Sequence, residues 1–217
     1  MPANKSQRGR EAPSRLPAAS EPSTPPVIKK RVRSFLPFII MLFISLLLAW
    51  IPIAFASVAV LDFELNDLTL AESDRATQYS ENAPNAPEIA RTATLAPLLR
   101  EALNTQYDFT ITPVPTALYA EADQGFGYLF SHPRAVTDLG RALNTDWVVV
   151  SRLHKPSFLF AYLITHVVHV PAGRQLPEII VEIKGQQQTL SQRGVNALAR
   201  QINEAINTVK QQQKEEK

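Results

Sequence analysis

The chain has 217 residues, seven glycines and no cysteine, which allows one ordinary domain with an appendage and excludes a disulfide framework, a thiolate metal site and a cysteine nucleophile. Its net charge of +2 conceals a partition: residues 1–33 carry eight Lys/Arg against two Asp/Glu, residues 34–56 carry no charge, and residues 57–217 carry fourteen Lys/Arg against eighteen Asp/Glu. The large carboxy-terminal part is therefore mildly acidic, which excludes nucleic-acid binding through a basic face.

Residues 1–28 are rich in Pro, Ser, Ala and charge and have almost no large apolar side chains, so they cannot bury enough surface to offset ordering. Residues 1–33 are read as a disordered basic tail that ends in the cluster Lys29–Arg33. Ser34 to Ala56 follows, 23 residues without a charge. At about 1.5 Å per residue this spans roughly 34 Å, enough for a hydrocarbon core near 30 Å. Pro37 and Pro52 lie near its ends, and Trp50 falls where an interfacial aromatic would sit. Basic residues precede the segment; Asp62, Glu64, Asp67, Glu72 and Asp74 follow it before Arg75. The positive-inside rule then keeps the amino terminus in and sends the domain across. Whether the segment is a retained transmembrane anchor or a cleaved signal peptide is open. Ala54-Phe55-Ala56 has the small-x-small form of a cleavage site, whereas the long apolar run and the 33 residues before it favour an anchor. Initiation at Val27 would leave a signal peptide of ordinary length. The boundary falls between Ala56 and Ser57.

The α/β domain is assigned to residues 57–210, with a polar tail over 211–217 that frays. "SVAVLDFEL" predicts a short first strand, and residues 66–87 a polar loop. Glu88–Leu103 places Ile89, Ala93, Ala96, Leu99 and Leu103 at helical spacing; Pro97 predicts a kink, or a later start capped by Thr94. A second strand follows at Tyr107–Thr112, then an irregular connection over 113–133 with one short helical piece. Arg134–Asn144 is a short helix with Val136, Leu139 and Leu143 on one side. Thr145–Leu153 is β-branched and reads as a strand; a Lys155-Pro156-Ser157 turn leads to a long strand over 158–170. "PAGR" turns the chain into "LPEIIVEIKG", where Ile179, Val181 and Ile183 alternate with Glu182 and Lys184. The last helix, from Thr189, aligns Val195, Leu198, Ile202, Ala205, Ile206 and Val209, with Gly194 allowing close approach to the sheet. The predicted fold class is α/β (mixed α+β), in the order β-α-β-α-β-β-β-α, with one mixed five-stranded sheet and helices packed mainly on one face.

"VAVLDFEL", "LGRALNTDWVVVSRLHKPSFLF" and "VVHVPAGRQLPEIIVEIKGQQQTLSQRG" resemble a bacterial family of exported proteins, domain of unknown function 2380, over most of residues 57–206. The match is most specific from Leu139 to Gly194, through the Lys-Pro-Ser turn, the Gly173 turn and the Gly185…Arg193-Gly194 spacing. The fold also resembles the amino-terminal domain of TolB and the curli secretion lipoprotein, which implies an envelope-facing interaction domain. Relatives often carry cysteines ahead of the Leu139-Gly140 helix, and an acidic residue and a tryptophan where this chain has Gln188 and Ser191. A redox or metal role is not carried over to this chain.

The residues offer little catalytic chemistry. His166 and His169 are three apart on a predicted strand and point to opposite faces, and no His/Asp/Glu pair on a predicted helix has the i, i+4 spacing of metal ligands. No Gly-rich phosphate loop or G-x-S-x-G elbow occurs, and Ser151, Ser157 and Ser191 lack a recognisable base. Arg152, Lys155 and Arg174 read as surface charge near turns. Two features remain as candidate binding sites. Asp62, Glu64 and Asp67 follow the first strand and could together hold a cation or a basic partner. The strand over 158–170 is apolar on both faces, so Phe158, Phe160 and Tyr162 need a cover, supplied by the 113–133 connection, another subunit, a partner or a bilayer.

These features predict a non-enzymatic protein without a cofactor, held at the bacterial inner membrane with its domain in the periplasm, or released there by cleavage near Ala56. Its expected partners are the membrane, through the apolar segment, and an envelope protein or a second copy of itself, with no nucleic acid. The alternative is a periplasmic ligand- or cation-binding protein using the acidic edge.

Overall fold

The computed structural model describes residues 56–71, 74, 85–184 and 188–215. The basic tail, the charge-free segment through Phe55 and most of the predicted 66–87 loop lie outside these residues. Among the described residues no helix is long and apolar enough to cross a membrane.

The elements run β1 (Ser57–Val60), β2 (Glu64–Asp67), α1 (Ala86–Tyr107), β3 (Thr110–Ile111), α2 (Thr116–Ala122), α3 (Tyr128–Ser131), α4 (Pro133–Ala142), β4 (Trp147–Lys155), β5 (Phe160–His169), β6 (Arg174–Gln175), β7 (Ile179–Lys184) and α5 (Gln188–Glu215). One mixed sheet has the order β3-β1-β4-β5-β6. β2 continues along the same side of β4 as β1, and β7 along the same side of β5 as β6. The seven strands among the described residues thus occupy five positions: β3, β1/β2 and β4 run parallel, and β5 is antiparallel to β4 and to β6/β7.

The first strand is broken by one extra residue. Val60 is in register with Val149 but Glu64 with Arg152, so the offset changes by one across residues 61–63. Such a bulge reverses which alternate residues face inward. Val58 and Val60 are buried in one core before it, and Phe63 and Leu65 in the same core after it. Arg100 stabilises the break: its guanidinium donates to the Val60 carbonyl at 2.7 Å and to Asp62 Oδ1 at 2.7 Å. At the other end of β1, Ser57 is clamped to the start of β4. Its N–H and Oγ donate to Asp146 Oδ2 at 2.9 and 2.8 Å, and Asp146 N–H donates back to Ser57 Oγ at 2.8 Å. Thr110 N–H also bonds the Ala56 carbonyl at 3.1 Å. The boundary expected between Ala56 and Ser57 therefore falls inside the sheet ladder.

Helices cover both faces of the sheet, a correction to the one-sided packing expected. α1 and α5 lie on one face around Leu95, Leu99, Leu153, Leu163, Leu198 and Ile202. α2, α3 and α4 lie on the other around Leu61, Val136, Leu139, Val148, Val150 and Val168. α1 starts at Ala86 and runs through Pro97. Pro97 is exposed, and its cost of about 3 kcal/mol is borne by a helix anchored through Thr92, Leu95, Ala96, Leu99, Ala102 and Leu103. Ala93 is exposed instead of buried, and Thr94 caps nothing; its hydroxyl donates to Arg91 O at 2.7 Å within the helix. The second strand shrinks to two residues because the helix extends to Tyr107 and ends on Asp108 in a left-handed conformation. The irregular 113–133 connection contains two helices. α5 continues to Glu215, beyond the expected start of fraying, and its buried stripe matches the expected one except that Ala199 replaces the half-buried Ala205. A Cβ at Gly194 would stand 2.9 Å from Ile183 Cδ1, so the expected close approach of the last helix to the sheet is present.

Candidate functional site

The α2–α4 layer covers only half of its sheet face. Registered pairs point to the same side of a sheet, so two rows of side chains cross the uncovered half. One row is Glu64, Arg152, Ile164 and Ile180; the other is Asn66, His154, Tyr162 and Glu182. Phe160, opposite Lys184, lies at the outer end. Ile180 is 53% exposed, Phe160 39%, and Phe158 and Leu159 in the preceding turn about 70%. This is an apolar strip flanked by charge, of the kind that marks contact surfaces.

The border of the strip is built around Arg152. Its Nη2 lies 2.8 Å from Glu64 Oε2, and both side chains are largely buried. The guanidinium sits 4.1 Å from the Phe130 ring centroid and 5.2 Å from that of Phe126. Glu64 Oε1 also accepts the Gly127 N–H at 2.7 Å. Gly127 has φ +78°, and a Cβ there would meet Arg152 Nη2 at 3.0 Å, so glycine suits this turn on both counts. Glu64 therefore pins the 125–128 loop to the sheet. Next to it, Phe130 stacks on His166 at 4.2 Å, and His166 Nε2 lies 2.9 Å from Glu178 Oε2. In the second row Asn66 Nδ2 is 3.1 Å from His154 Nδ1, the geometry of a neutral imidazole accepting from an amide. Burial, and then the nearby Arg152, hold His154 below its ordinary pKa, which favours that neutral form. Tyr119, on the covering helix α2, is raised to about 12 by burial and then by Asp123.

On the opposite face, at the carboxyl ends of β2 and β4, lies a buried charge network. Lys155 Nζ is 3.1 Å from Glu88 Oε1 and 3.5 Å from Asp67 Oδ2. Glu88 also pairs with Arg91 at 3.2 Å, and Arg91 Nε donates to Ser191 Oγ at 2.8 Å. Asp67, Glu88, Lys155 and Ser191 are all more than nine-tenths buried. Lys155 and Arg152 are thus not the surface charges their turn positions imply: the strand continues to Lys155, and strand parity turns the two side chains to opposite faces, each toward a carboxylate. Arg174 is exposed.

The three acids after the first strand do not converge. Asp62 is exposed on Arg100, Glu64 lies on the outer face with Arg152, and Asp67 is buried with Lys155. The bulge separates Asp62 from its neighbours, and each carboxylate has its own cation. Among the described residues no three His, Asp or Glu side chains gather where they could hold a metal ion. Phe158, Phe160 and Tyr162 do fall together, with Phe160 and Tyr162 on the uncovered face and Phe158 in the turn at its end. Sequence reading missed Ile180, although its parity places it with Glu178, Glu182 and Lys184 on the outward face. It also missed Glu88 and Asn85, read as the first residue of a helix and as loop.

The molecule is thus a mixed α/β domain whose sheet is sandwiched between helices over one half and open on the outer face of the other. It belongs to the family described as "Protein of unknown function (DUF2380)", whose model matches residues 56–202. A comparison with curated proteins found no match. Among solved structures it is similar to the hypothetical protein CT253 of Chlamydia trachomatis, at 10% identity and TM-score 0.45, over 70% of this chain and 99% of that one. It is also similar to lipoprotein GNA1162 of Neisseria meningitidis, at 15% identity and TM-score 0.40, over 68% and 96%. TolB of Acinetobacter baumannii matches at 11% identity and TM-score 0.37, over 72% of this chain and 28% of that one.

Proposed function

We propose that this is a non-enzymatic cell-envelope protein whose α/β domain faces the periplasm and binds another envelope protein through the uncovered outer half-face of its sheet. The observation that carries the reading is the exposure of Phe160 and Ile180 on one sheet face, two registered pairs apart, with Phe158 and Leu159 exposed in the turn beyond Phe160. A helix-covered sheet has no packing reason to leave large apolar side chains in water along one face and at its end. The flanking groups, Glu182, Lys184 and the His166–Glu178 pair, supply the polar rim expected around such a contact. The location is supported by the charge partition: Lys29–Arg33 before residues 34–56, and acidic residues after.

The test uses the absence of cysteine. Leu159→Cys gives the full chain a single thiol, which a periplasm-confined thiol-to-photoreactive crosslinker modifies in intact cells. An adduct with another protein, identified by mass spectrometry, is the expected result. Quantitative labelling with recovery of monomer alone would sink the reading.

A further inference from the structure

We propose that the cleft at the carboxyl ends of β2 and β4 anchors a peptide group of an extended polypeptide segment, with an apolar side chain of that segment lying against Phe158. This rests on the reading of the neighbouring sheet face as a protein-binding surface, and it names the chemistry of the anchor. The cleft holds about 350 Å³ and is lined by Asp67, Leu70, Asn85, Glu88, Lys155 and Phe158 among others.

Asn85 carries the argument. It is only 6% exposed, yet among the described residues neither its Oδ1 nor its Nδ2 has a hydrogen-bond partner. Buried side-chain amides are nearly always paired, because an unpaired one forfeits its hydration without return. Asn85 stands at the N-cap of α1, where an asparagine usually accepts an N–H of the first turn, but its side chain makes no such bond. The first-turn N–H groups are otherwise engaged: Glu88 and Ile89 donate to the Asn85 carbonyl, and Pro87 has none. The helix end therefore offers little to an anion. Nor does the charge balance, since Asp67 and Glu88 face Lys155 and Arg91, two against two.

What is unsatisfied is one donor and one acceptor side by side on a carboxamide. A peptide unit presents the complementary acceptor and donor in the same arrangement. Asp67 Oδ2, which lies 3.5 Å from Lys155 Nζ and has no hydrogen-bond partner among the described residues, supplies a second acceptor for an N–H. Phe158, 69% exposed with Lys155 Nζ 5.5 Å from its ring centroid, is the apolar wall. The same residue begins the exposed Phe158–Phe160 run, so a chain seated in the cleft reaches the opposite, uncovered face around the turn at residues 156–159.

The test measures thermal unfolding of the full chain in detergent micelles with N-acetyl-Ala-Phe-Ala-amide as the probe. The expected result is a melting temperature that rises with probe concentration, because a ligand of the native state stabilises by mass action. N-acetylglycinamide, which lacks the apolar side chain, should have a markedly smaller effect. Asn85→Leu should raise the melting temperature without probe and weaken the probe response at least about tenfold, the loss expected when a designed hydrogen-bond site is removed. Phe158→Ala, at an exposed position that does not threaten folding, should weaken the response at least about threefold, less than the asparagine because only one side of the contact is apolar. No probe response in the parent, or an undiminished one in both variants, overturns the proposal. Ile180→Glu separates the two readings. A probe response with no crosslinked partner condemns the sheet-face reading alone; a crosslinked partner lost in Ile180→Glu, with no probe response in the parent, condemns the cleft alone.

Discussion

Replacing Lys155 with Met should be among the most damaging single changes in the domain. The ammonium lies between two carboxylates, 3.1 Å from Glu88 and 3.5 Å from Asp67, with side-chain exposures of 6%, 9% and 1% respectively. Methionine preserves the volume of the stem, so the cavity cost is small. The charge cost is not. Glu88 keeps Arg91, and Asp67 keeps the N–H and hydroxyl of Thr69, but two negative charges then share a site with one buried cation. Breaking a buried ion pair from one side costs about 3–5 kcal/mol. For a domain of this size each kcal/mol moves Tm by roughly 2–4 °C, so the drop should be roughly 6–20 °C. Thermal unfolding of the full chain in detergent micelles, followed by circular dichroism, reads this directly. The double variant Lys155→Met/Asp67→Asn leaves Glu88 with Arg91, one charge against one, and should recover most of the loss. A Lys155→Met variant within about 1 kcal/mol of the parent, the range of exposed pairs, would refute the idea that the network is desolvated.

Three further outcomes follow from the packing and the titrating groups. Gly140→Ala should destabilise by about 1–3 kcal/mol, the range for overpacking, because its Cβ would stand 2.4 Å from Val170 Cγ2 and 2.8 Å from Val148 Cγ2; chemical denaturation checks it. His169, stacked 4.3 Å from Trp147, is held below its ordinary pKa by burial and then by Arg174, with Asp146 opposing, and His154 is lowered as well. For a base with a depressed folded pKa the unfolded chain binds the proton first, so stability is full above about pH 6.5 and declines as the pH falls below it. His169→Phe/His154→Gln should flatten that decline in a pH series of unfolding midpoints; an unchanged slope would contradict it. Glu64→Ala should free the 125–128 loop, seen as faster amide exchange at Gly127, whose N–H loses its acceptor 2.7 Å away, while exchange in α5 stays as it was.

Much of the fold was legible because its elements repeat with strong period. The β-branched run at Trp147–Leu153 and the apolar stripe of α5 needed nothing from outside their own segments. The first strand was harder. "SVAVLDFEL" has apolar residues on both parities, and only the register against β4 shows that a bulge between Val60 and Glu64 exchanges them. The same bulge scatters Asp62, Glu64 and Asp67, which looked like one acidic edge in sequence. For α1, Pro97 predicts a kink or a later start, yet the helix runs from Ala86 through it, because tertiary burial of Leu95, Leu99 and Leu103 outweighs a local cost at an exposed position. The pairing of Lys155 with Glu88 had no sequence signal, since the two meet only when α1, in the crossover from β1/β2 to β3, packs against the sheet beside the end of β4. The apolar exposure at Phe158–Phe160 was legible as a strand with two greasy faces; that the shortfall of cover lies on the outer half, and includes Ile180, required the sheet order.

The central claim is that the outer half-face of the sheet is a protein-binding surface. Two single-cysteine full chains, Ile180→Cys on that face and Glu204→Cys on the exposed side of α5, test it most directly when carried through the same in-cell crosslinking and mass-spectrometric identification. The prediction is a defined protein adduct from residue 180 and none from residue 204. Equal adduct profiles from both positions, or none from residue 180 despite complete labelling, would contradict it.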